Sequence, residues 1–320
     1  MKKYNRWFLD YYSRKCFSFA FGICGIAKTH PMIKDAPSRD VAPLAAEKLH
    51  VAFRETPVLH DISLSIPQNR LTVLVGPNGS GKSTLLSTLS RLMPPAKGTV
   101  YLAGKDIHTL PTRDVARKLG ILPQSPVLPE SLNVYDLVSR GRYPHQGLFR
   151  QWSNADEKAV HHAMEITDTA SFAQTPVNAL SGGQRQRCFI AMALAQETDI
   201  ILLDEPTTYL DLRYQVDVMK LIAELCRSHG RTIVTVLHDL NFAMQYADHL
   251  IFLKDGKIHC TIDDPKSCSA NLISDVFSTD VIRLVDPDSG IPVFIPRHNA
   301  GDHALPSASP SNVAPAGCAP

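Results

Sequence analysis

The sequence Gly76-Pro77-Asn78-Gly79-Ser80-Gly81-Lys82-Ser83-Thr84 fits the pattern G-x-x-x-x-G-K-[ST], which marks a phosphate-binding loop. Leu71–Val75, just before it, is an apolar run typical of a buried parallel strand. Residues 85–92, just after it, place leucines at helical spacing. The pattern therefore lies where a strand leads into a helix N-terminus, and there the backbone N–H groups and the helix dipole favour a phosphate.

Each residue type in this loop has a chemical reason. Glycines let the chain approach the anion closely, since a Cβ would block it. Lys82 is expected to reach the β- and γ-phosphates of a nucleotide, and the Ser83 hydroxyl to hold Mg²⁺. The alternative is a glycine-rich turn that happens to carry a lysine, and the flanking strand and helix disfavour it.

Composition restricts the class of protein. The 320 residues, 44% hydrophobic and 20% charged, suit a soluble globular protein of one large domain or two. The net charge of +2 does not argue for nucleic acid. The seven cysteines form no C-x-x-C pair, which favours reduced cytosolic thiols. No apolar window is long enough to span a membrane, so work at a membrane would require a partner.

The two ends of the chain differ from the rest. Residues 1–46 combine a basic start with the short apolar run Cys16–Ala27, like a secretory signal, but export would separate a nucleotide-dependent protein from its nucleotide. Two interpretations remain, a mobile extension or a start-site artefact with Met32 as the first residue. Residues 34–46 are interpreted as a linker, and residues 298–320 as a disordered tail.

Between the ends, strands alternate with helices, which predicts an α/β fold with a mainly parallel sheet. An alternating segment, Asp61–Ile66, favours an antiparallel strand. Residues 125–197 are helical in pattern and form an insertion between core strands. The predicted helices there and beyond are Val134–Arg142, Ala155–Thr167, Gly183–Gln196 and Arg213–Ser228.

Two further motifs carry chemistry. Asp204 and Glu205 close the apolar run Ile200–Leu203, and Mg²⁺ would stabilise the first acid while the second polarises water. Acids at a helix N-terminus are the alternative. Ser181-Gly182-Gly183-Gln184 offers a second anion-binding helix N-terminus, although Ser-Gly-Gly alone is also typical of an N-cap and turn. Two such cradles in one chain suggest two copies packed head to tail.

Together these motifs resemble the nucleotide-binding subunit of an ATP-binding-cassette (ABC) transporter over about residues 47–297. Gly76–Thr84 matches the Walker A loop, Ile200–Glu205 the Walker B strand and Leu180–Gln184 the family signature. The resemblance implies an ABC-type P-loop NTPase with a RecA-like core, an antiparallel β subdomain and an inserted α-helical subdomain. It also implies ATP and Mg²⁺ as ligands.

The resemblance assigns further roles. Gln124 matches the Q-loop glutamine, Asp211 the D-loop acid and His238 the switch histidine. Phe53 stands where the family has a tyrosine that stacks on adenine, although a core position is equally compatible. The implied catalytic residues are Lys82, Gln124, Glu205 and His238, and the implied Mg²⁺ ligands are Ser83, Gln124 and Asp204. The implied nucleotide contacts are Phe53, Gly76–Thr84, Ser181, Gly182, Gly183, Gln184 and Asp211.

Within this family, residues 140–146 and 205–211 look like those of bacterial iron–siderophore importers. Haem or cobalamin import is an alternative, and residues 140–146 could simply be a polar loop against the permease. Non-transport ABC ATPases of DNA repair or ribosomes usually carry a coiled coil or tandem cassettes, which this chain lacks. A regulator would lack Glu205 or His238.

The resemblance also implies partners and a location. They are a second copy of the chain, transmembrane permease subunits and, indirectly, a periplasmic or lipoprotein substrate-binding protein, with no nucleic acid. The location is the cytoplasmic face of the bacterial inner membrane.

Overall fold

The computed structural model describes residues 42–53, 56–124, 126, 132–147 and 152–297. The predicted N-terminal extension, except its last residues, and the predicted tail 298–320 lie outside these residues.

A six-stranded sheet with the order β10-β9-β3-β8-β7-β6 forms the centre of the fold. Its strands are β3 (Leu71–Val75), β6 (Leu119–Leu122), β7 (Ile200–Asp204), β8 (Thr232–Val236), β9 (His249–Lys254) and β10 (Lys257–Ile262). All pairings are parallel except that of the β9–β10 hairpin. β3 and β8 are buried along their whole length, as expected for strands covered on both faces. The predicted mainly parallel sheet is confirmed.

A second, antiparallel sheet has the order β2-β1-β4-β5. Its strands are β1 (Leu44–Phe53), β2 (Thr56–Ile66), β4 (Lys97–Leu102) and β5 (Lys105–Asp106). β1 begins within the segment 34–46 that is predicted as a linker, because Leu44 and Ala46 are buried and pair with Ile66 and Leu64 of β2. Helix α1 (Lys82–Leu89) inserts its leucines into the core between the two sheets.

Seven further α-helices follow α1 among the described residues. They are α2 (Thr112–Ala116), α3 (Val134–Ser139), α4 (Asn154–Ile166), α5 (Gly182–Ala195), α6 (Leu212–Arg227), α7 (Leu240–Tyr246) and α8 (Ala270–Phe277). α3, α4 and α5 pack on one another as a helical insertion. A hairpin of β11 (Val281–Val285) and β12 (Pro292–Pro296) is attached to α7, where the Asn241 side chain bonds both the N–H and the C=O of Phe294.

The predicted helix Val134–Arg142 is wrong at its C-terminal end. α3 stops at Ser139, and Arg140–His145 follows as a 3₁₀ helix that contains Pro144. Proline provides no N–H and disfavours a helical conformation at the residue before it, so the α-helix cannot continue.

Arg142 holds the helical insertion together from inside. Its side chain is 3% exposed, and its Nε lies 3.0 Å from Oδ1 of the fully buried Asp156 in α4. Its Nη1 donates to Glu197 Oε2 at 2.6 Å and to the Ala195 carbonyl at 2.7 Å, at the end of α5. Burial tends to raise the pKa of Asp156, but hydrogen bonds from Ser153 and Arg142 outweigh it and hold that pKa below the ordinary value. The sequence 140–146 is therefore mainly an internal brace.

We predict that Arg142→Met destabilises the protein, because it leaves the Asp156 carboxylate buried without its guanidinium partner. The expected loss in the free energy of unfolding is about 3–5 kcal/mol, measured by denaturant titration. Arg227→Met is the matched control, since Arg227 is 63% exposed and lies 3.7 Å from Asp248. That variant should lose no more than about 1 kcal/mol. Equal losses in the two variants would contradict the structural role of Arg142.

Candidate functional site

The loop Gly76–Thr84 connects β3 to α1, as the sequence predicts, and encloses the Lys82 side chain. Lys82 is 5% exposed, and its Nζ donates to the carbonyls of Gly76 at 2.8 Å and Pro77 at 2.9 Å. Burial lowers the pKa of this ammonium group, while the nearby Glu205 and Asp204 carboxylates oppose that shift. The loop therefore holds a poorly solvated positive charge, which suits the binding of phosphate oxygens.

Two glycines are required by close contacts of the loop backbone. Gly76 has φ 155°, and a Cβ there would lie 2.1 Å from the Leu253 carbonyl oxygen of β9. Gly81 is the left-handed N-cap of α1, with φ 98°, and a Cβ there would lie 2.5 Å from Leu59 Cδ2 of β2. The glycine spacing is thus dictated by packing against both sheets as well as by room for an anion.

Ser83 and Asp204 bring the loop to the end of β7. The Ser83 hydroxyl donates to Asp204 Oδ1 at 3.0 Å. Burial raises the pKa of Asp204; the Ser83 hydrogen bond lowers it, and the neighbouring Glu205 charge raises it further. A desolvated carboxylate beside a hydroxyl is a hard oxygen donor set of the kind that binds Mg²⁺.

Another observation supports a ligand at this loop. The Ser80 hydroxyl oxygen is buried and has no hydrogen-bond partner among the described residues. A buried hydroxyl oxygen without a protein partner is available to bind an ion, a water or a ligand. The described residues also contain no cluster of three or more His, Cys, Asp or Glu side chains arranged for a metal. Mg²⁺ held by few protein groups, with water and phosphate, fits this donor set.

Glu205 is the meeting point of three side chains. Gln124 Nε2 and Thr208 Oγ1 both donate to its Oε2, the latter at 3.1 Å. His238 Nε2 lies 2.6 Å from its Oε1. Glu205 itself has the left-handed φ of 52° and its side chain is 9% exposed. The structure thus brings together the predicted residues from the ends of β6, β7 and β8.

The predicted signature residues lie at the N-terminus of α5, apart from this cluster. Ser181 and Gln184 form a reciprocal capping box, with Ser181 Oγ accepting from Gln184 N and Gln184 Oε1 from Ser181 N. Within the described part of the chain, no hydrogen bond joins Ser181–Gln184 to Gly76–Thr84. Ser181 and Gly182 are exposed to solvent, whereas Gly183 is buried against the Tyr214 ring.

The remaining predicted residues lie on the surface. Asp211 is the N-cap of α6, although its side chain makes no capping hydrogen bond. Tyr209 and Leu212 on either side are 91% and 70% exposed. Phe53, at the end of β1, is 45% exposed, so the alternative of a core position for this ring is wrong.

Thr208 is the one partner of Glu205 that the sequence analysis does not identify as a site residue. A signal for it exists, because a hydroxyl three residues after an acid in a proline-containing turn can reach back to the acid. The pattern is too common in loops to be specific without the structure.

The chain is similar to known proteins of one family. Residues 59–208 match the family model of the ABC transporter. The chain is 46% identical over 259 residues to the ferric enterobactin transport ATP-binding protein of Escherichia coli, covering 81% of this chain and 96% of that protein. It is 44% identical over 252 residues to the iron(3+)-hydroxamate import ATP-binding protein of Bacillus subtilis, covering 79% and 94%.

A solved structure is also similar. It is a dimeric, post-hydrolysis state of an ATP-binding cassette bound to ADP and Pi, with TM-score 0.60 and 29% identity, covering 69% of this chain and 98% of that chain. The chain belongs to the ABC transporter family. The predicted fold, ATPase class and resemblance to the iron–siderophore importer group are confirmed. Among the described residues, none of the helices has the length and apolarity to cross a membrane.

We predict that Gly76→Ala weakens ATP binding about tenfold or more, because its Cβ would force the loop away from the Leu253 carbonyl. Equilibrium titration with ATP measures the effect. Gly230→Ala is the matched control, since Gly230 also has a positive φ, 59°, but its Cβ would meet nothing within 4 Å. The control places an alanine at a positive φ without any close contact, and it should bind ATP like the parent. Parental affinity in Gly76→Ala would show that the loop tolerates the displacement.

Proposed function

We propose that this chain is the ATP-hydrolysing subunit of a bacterial ABC importer for iron–siderophore complexes. The observation that carries the proposal is the convergence of Lys82, Ser83, Gln124, Glu205 and His238 at one edge of the parallel sheet. Ligands of open α/β sheets bind at this edge, beyond the carboxyl ends of the strands.

Nucleotide binding is assigned to the loop and its surroundings. Backbone N–H groups of Gly79, Gly81 and Lys82 and the Lys82 ammonium neutralise phosphate charge, and the exposed Phe53 ring stacks on adenine. Ser83, Asp204 and Gln124 are the residues that would hold Mg²⁺. The ion, when bound, would supply positive charge that stabilises the charge developing during hydrolysis.

Hydrolysis is assigned to Glu205 and His238. Glu205 holds a water in line with the γ-phosphate, and His238, which already contacts Glu205 at 2.6 Å, contacts the γ-phosphate when the site is filled. The protein contributes mainly position and charge, as expected for phosphoryl transfer.

A second copy of the chain completes each site. Ser181 and Gly182 are exposed and make no hydrogen bond to the loop of their own chain, so they are free to face the nucleotide of a partner. Asp211 and the exposed Tyr209 and Leu212 are placed to contact that partner. Two copies then bind two ATP molecules head to tail, and closure of the dimer drives the attached permease.

The remaining partners follow from the same proposal. They are transmembrane permease subunits, which hold this chain at the cytoplasmic face of the bacterial inner membrane, and, through them, a periplasmic or lipoprotein substrate-binding protein. The relatives at 44–46% identity are named for ferric enterobactin and iron(3+)-hydroxamate, which supports siderophores over haem or cobalamin. They do not support a role in DNA repair or on ribosomes.

We predict that Glu205→Gln binds ATP, stays dimeric with ATP and hydrolyses it at least about a hundredfold more slowly, because the amide cannot accept the proton of water. Phosphate release, ATP binding and size-exclusion chromatography measure the three properties. Glu224→Gln, an exposed residue of α6, is the matched control and should hydrolyse ATP like the parent. Hydrolysis at the parental rate by Glu205→Gln would remove Glu205 from this role.

The importer assignment has its own test. The tagged chain should co-purify from detergent-solubilised membranes with a polytopic permease, and deleting that permease should abolish uptake of ⁵⁵Fe–siderophore while leaving uptake of haem and cobalamin unchanged. Co-purification with ribosomes or DNA, or loss of haem or cobalamin uptake instead, would overturn it.

A further inference from the structure

The Thr208 hydroxyl differs from the other two partners of Glu205 because it belongs to the same turn of the chain as Glu205. Gln124 and His238 reach Glu205 from the ends of other strands, β6 and β8. Thr208 lies in the same turn as Glu205, with its N–H donating to the Glu205 carbonyl at 3.3 Å and its hydroxyl to Glu205 Oε2 at 3.1 Å. Thr208 therefore stays beside Glu205 when the turn that carries both residues changes position.

The turn that carries both residues is fixed from α6. Gln215 Nε2 donates to the Leu210 carbonyl at 2.9 Å and lies 3.5 Å from the Thr207 carbonyl. Leu210 N donates to the Thr207 carbonyl at 3.3 Å. The side-chain amide of Gln215 thus contacts two carbonyl oxygens of the loop. Because these contacts fix the loop, the Thr208 side chain has a defined direction toward Glu205.

In the proposed reaction Thr208 keeps its contact with Glu205, whereas Gln124 and His238 change their contacts. When ATP is bound, Gln124 is assigned to Mg²⁺ and His238 to the γ-phosphate, and each then shares or gives up its contact with Glu205. A carboxylate on a glutamate rotates freely, since its terminal torsion has a broad, two-fold preference. A general base must nevertheless present one oxygen within hydrogen-bond reach of the water.

We infer that Thr208 is a positioning residue that fixes the Glu205 carboxylate through Oε2 and so keeps Oε1 directed at the attacking water. This inference rests on the proposed role of Glu205. A threonine that only closes the turn would bond to backbone, whereas the Thr208 hydroxyl bonds to a side-chain carboxylate that is 9% exposed. In this role the hydroxyl acts through Glu205.

The test compares Thr208→Val, which keeps the shape and removes the hydroxyl, with Thr208→Ser, which keeps the hydroxyl. In the full-length chain, Thr208→Val should lower kcat about ten- to a hundredfold, the effect of losing a hydrogen bond to a charged group. KM for ATP and equilibrium ATP binding should stay within about twofold. Thr208→Ser should keep kcat within about threefold of the parent.

Thr279→Val is the matched control, because the Thr279 hydroxyl donates to the Phe277 carbonyl and, within the described residues, makes no hydrogen bond to Glu205. It should hydrolyse ATP like the parent. If Thr208→Val does not fold, Thr208→Ala takes its place with the same expected results. Parental kcat in the variant without the hydroxyl, or an equal loss of kcat in Thr208→Ser, overturns the inference.

The Glu205→Gln variant separates the two proposals. If it loses activity while Thr208→Val keeps it, only the positioning role of Thr208 is wrong. If both variants hydrolyse ATP like the parent, the proposed role of Glu205 is wrong as well.

Discussion

Two adjacent carboxylates at the end of a buried strand constrain the whole site. β7 is buried up to Leu203, so Asp204 and Glu205 emerge where water is scarce. A carboxylate in such surroundings costs several kcal/mol unless donors or cations surround it. Ser83 supplies a donor to Asp204, and Gln124, Thr208 and His238 supply donors to Glu205. The Lys82 ammonium group, which interacts electrostatically with both carboxylates, meets part of the remaining demand for positive charge.

The strand order brings the donors of Asp204 and Glu205 together from positions that are distant in sequence. β7 lies between β6 and β8, so the residues after both neighbours reach Glu205 from its two sides. Ser83 and Asp204 are 121 residues apart, and Gln124 and Glu205 are 81 apart. The motifs can be found in the sequence because each has a fixed local geometry, a glycine loop or an acid after an apolar run. The strand order follows from right-handed crossovers only after the family is recognised.

Other features of the structure depend on the directions of side chains, which no local sequence pattern predicts. The Thr208 contact occurs with a left-handed φ of 52° at Glu205, a conformation that is uncommon for a glutamate. The charged Arg142 looks like a surface residue in sequence, yet it is buried because its partners come from two other helices of the insertion. The start of β1 at Leu44 is not predicted from the local sequence either, because Leu44 pairs with Ile66 on another strand.

The buried side chain of Arg142 connects the exposed surface of the helical insertion to α5, the helix that begins with the signature. Arg142 ties α4 to the end of α5, and Gly141 lies so close to α5 that a Cβ would meet the Met192 carbonyl at 2.2 Å. Bending the insertion at this point would separate buried charges from their partners and is therefore costly. α5 runs unbroken from the signature at its start to the Arg142 contact at its end, and the 3₁₀ helix that contains Arg142 also presents the exposed Tyr143. The signature and this exposed surface are therefore linked through one helix and the buried contacts of Arg142.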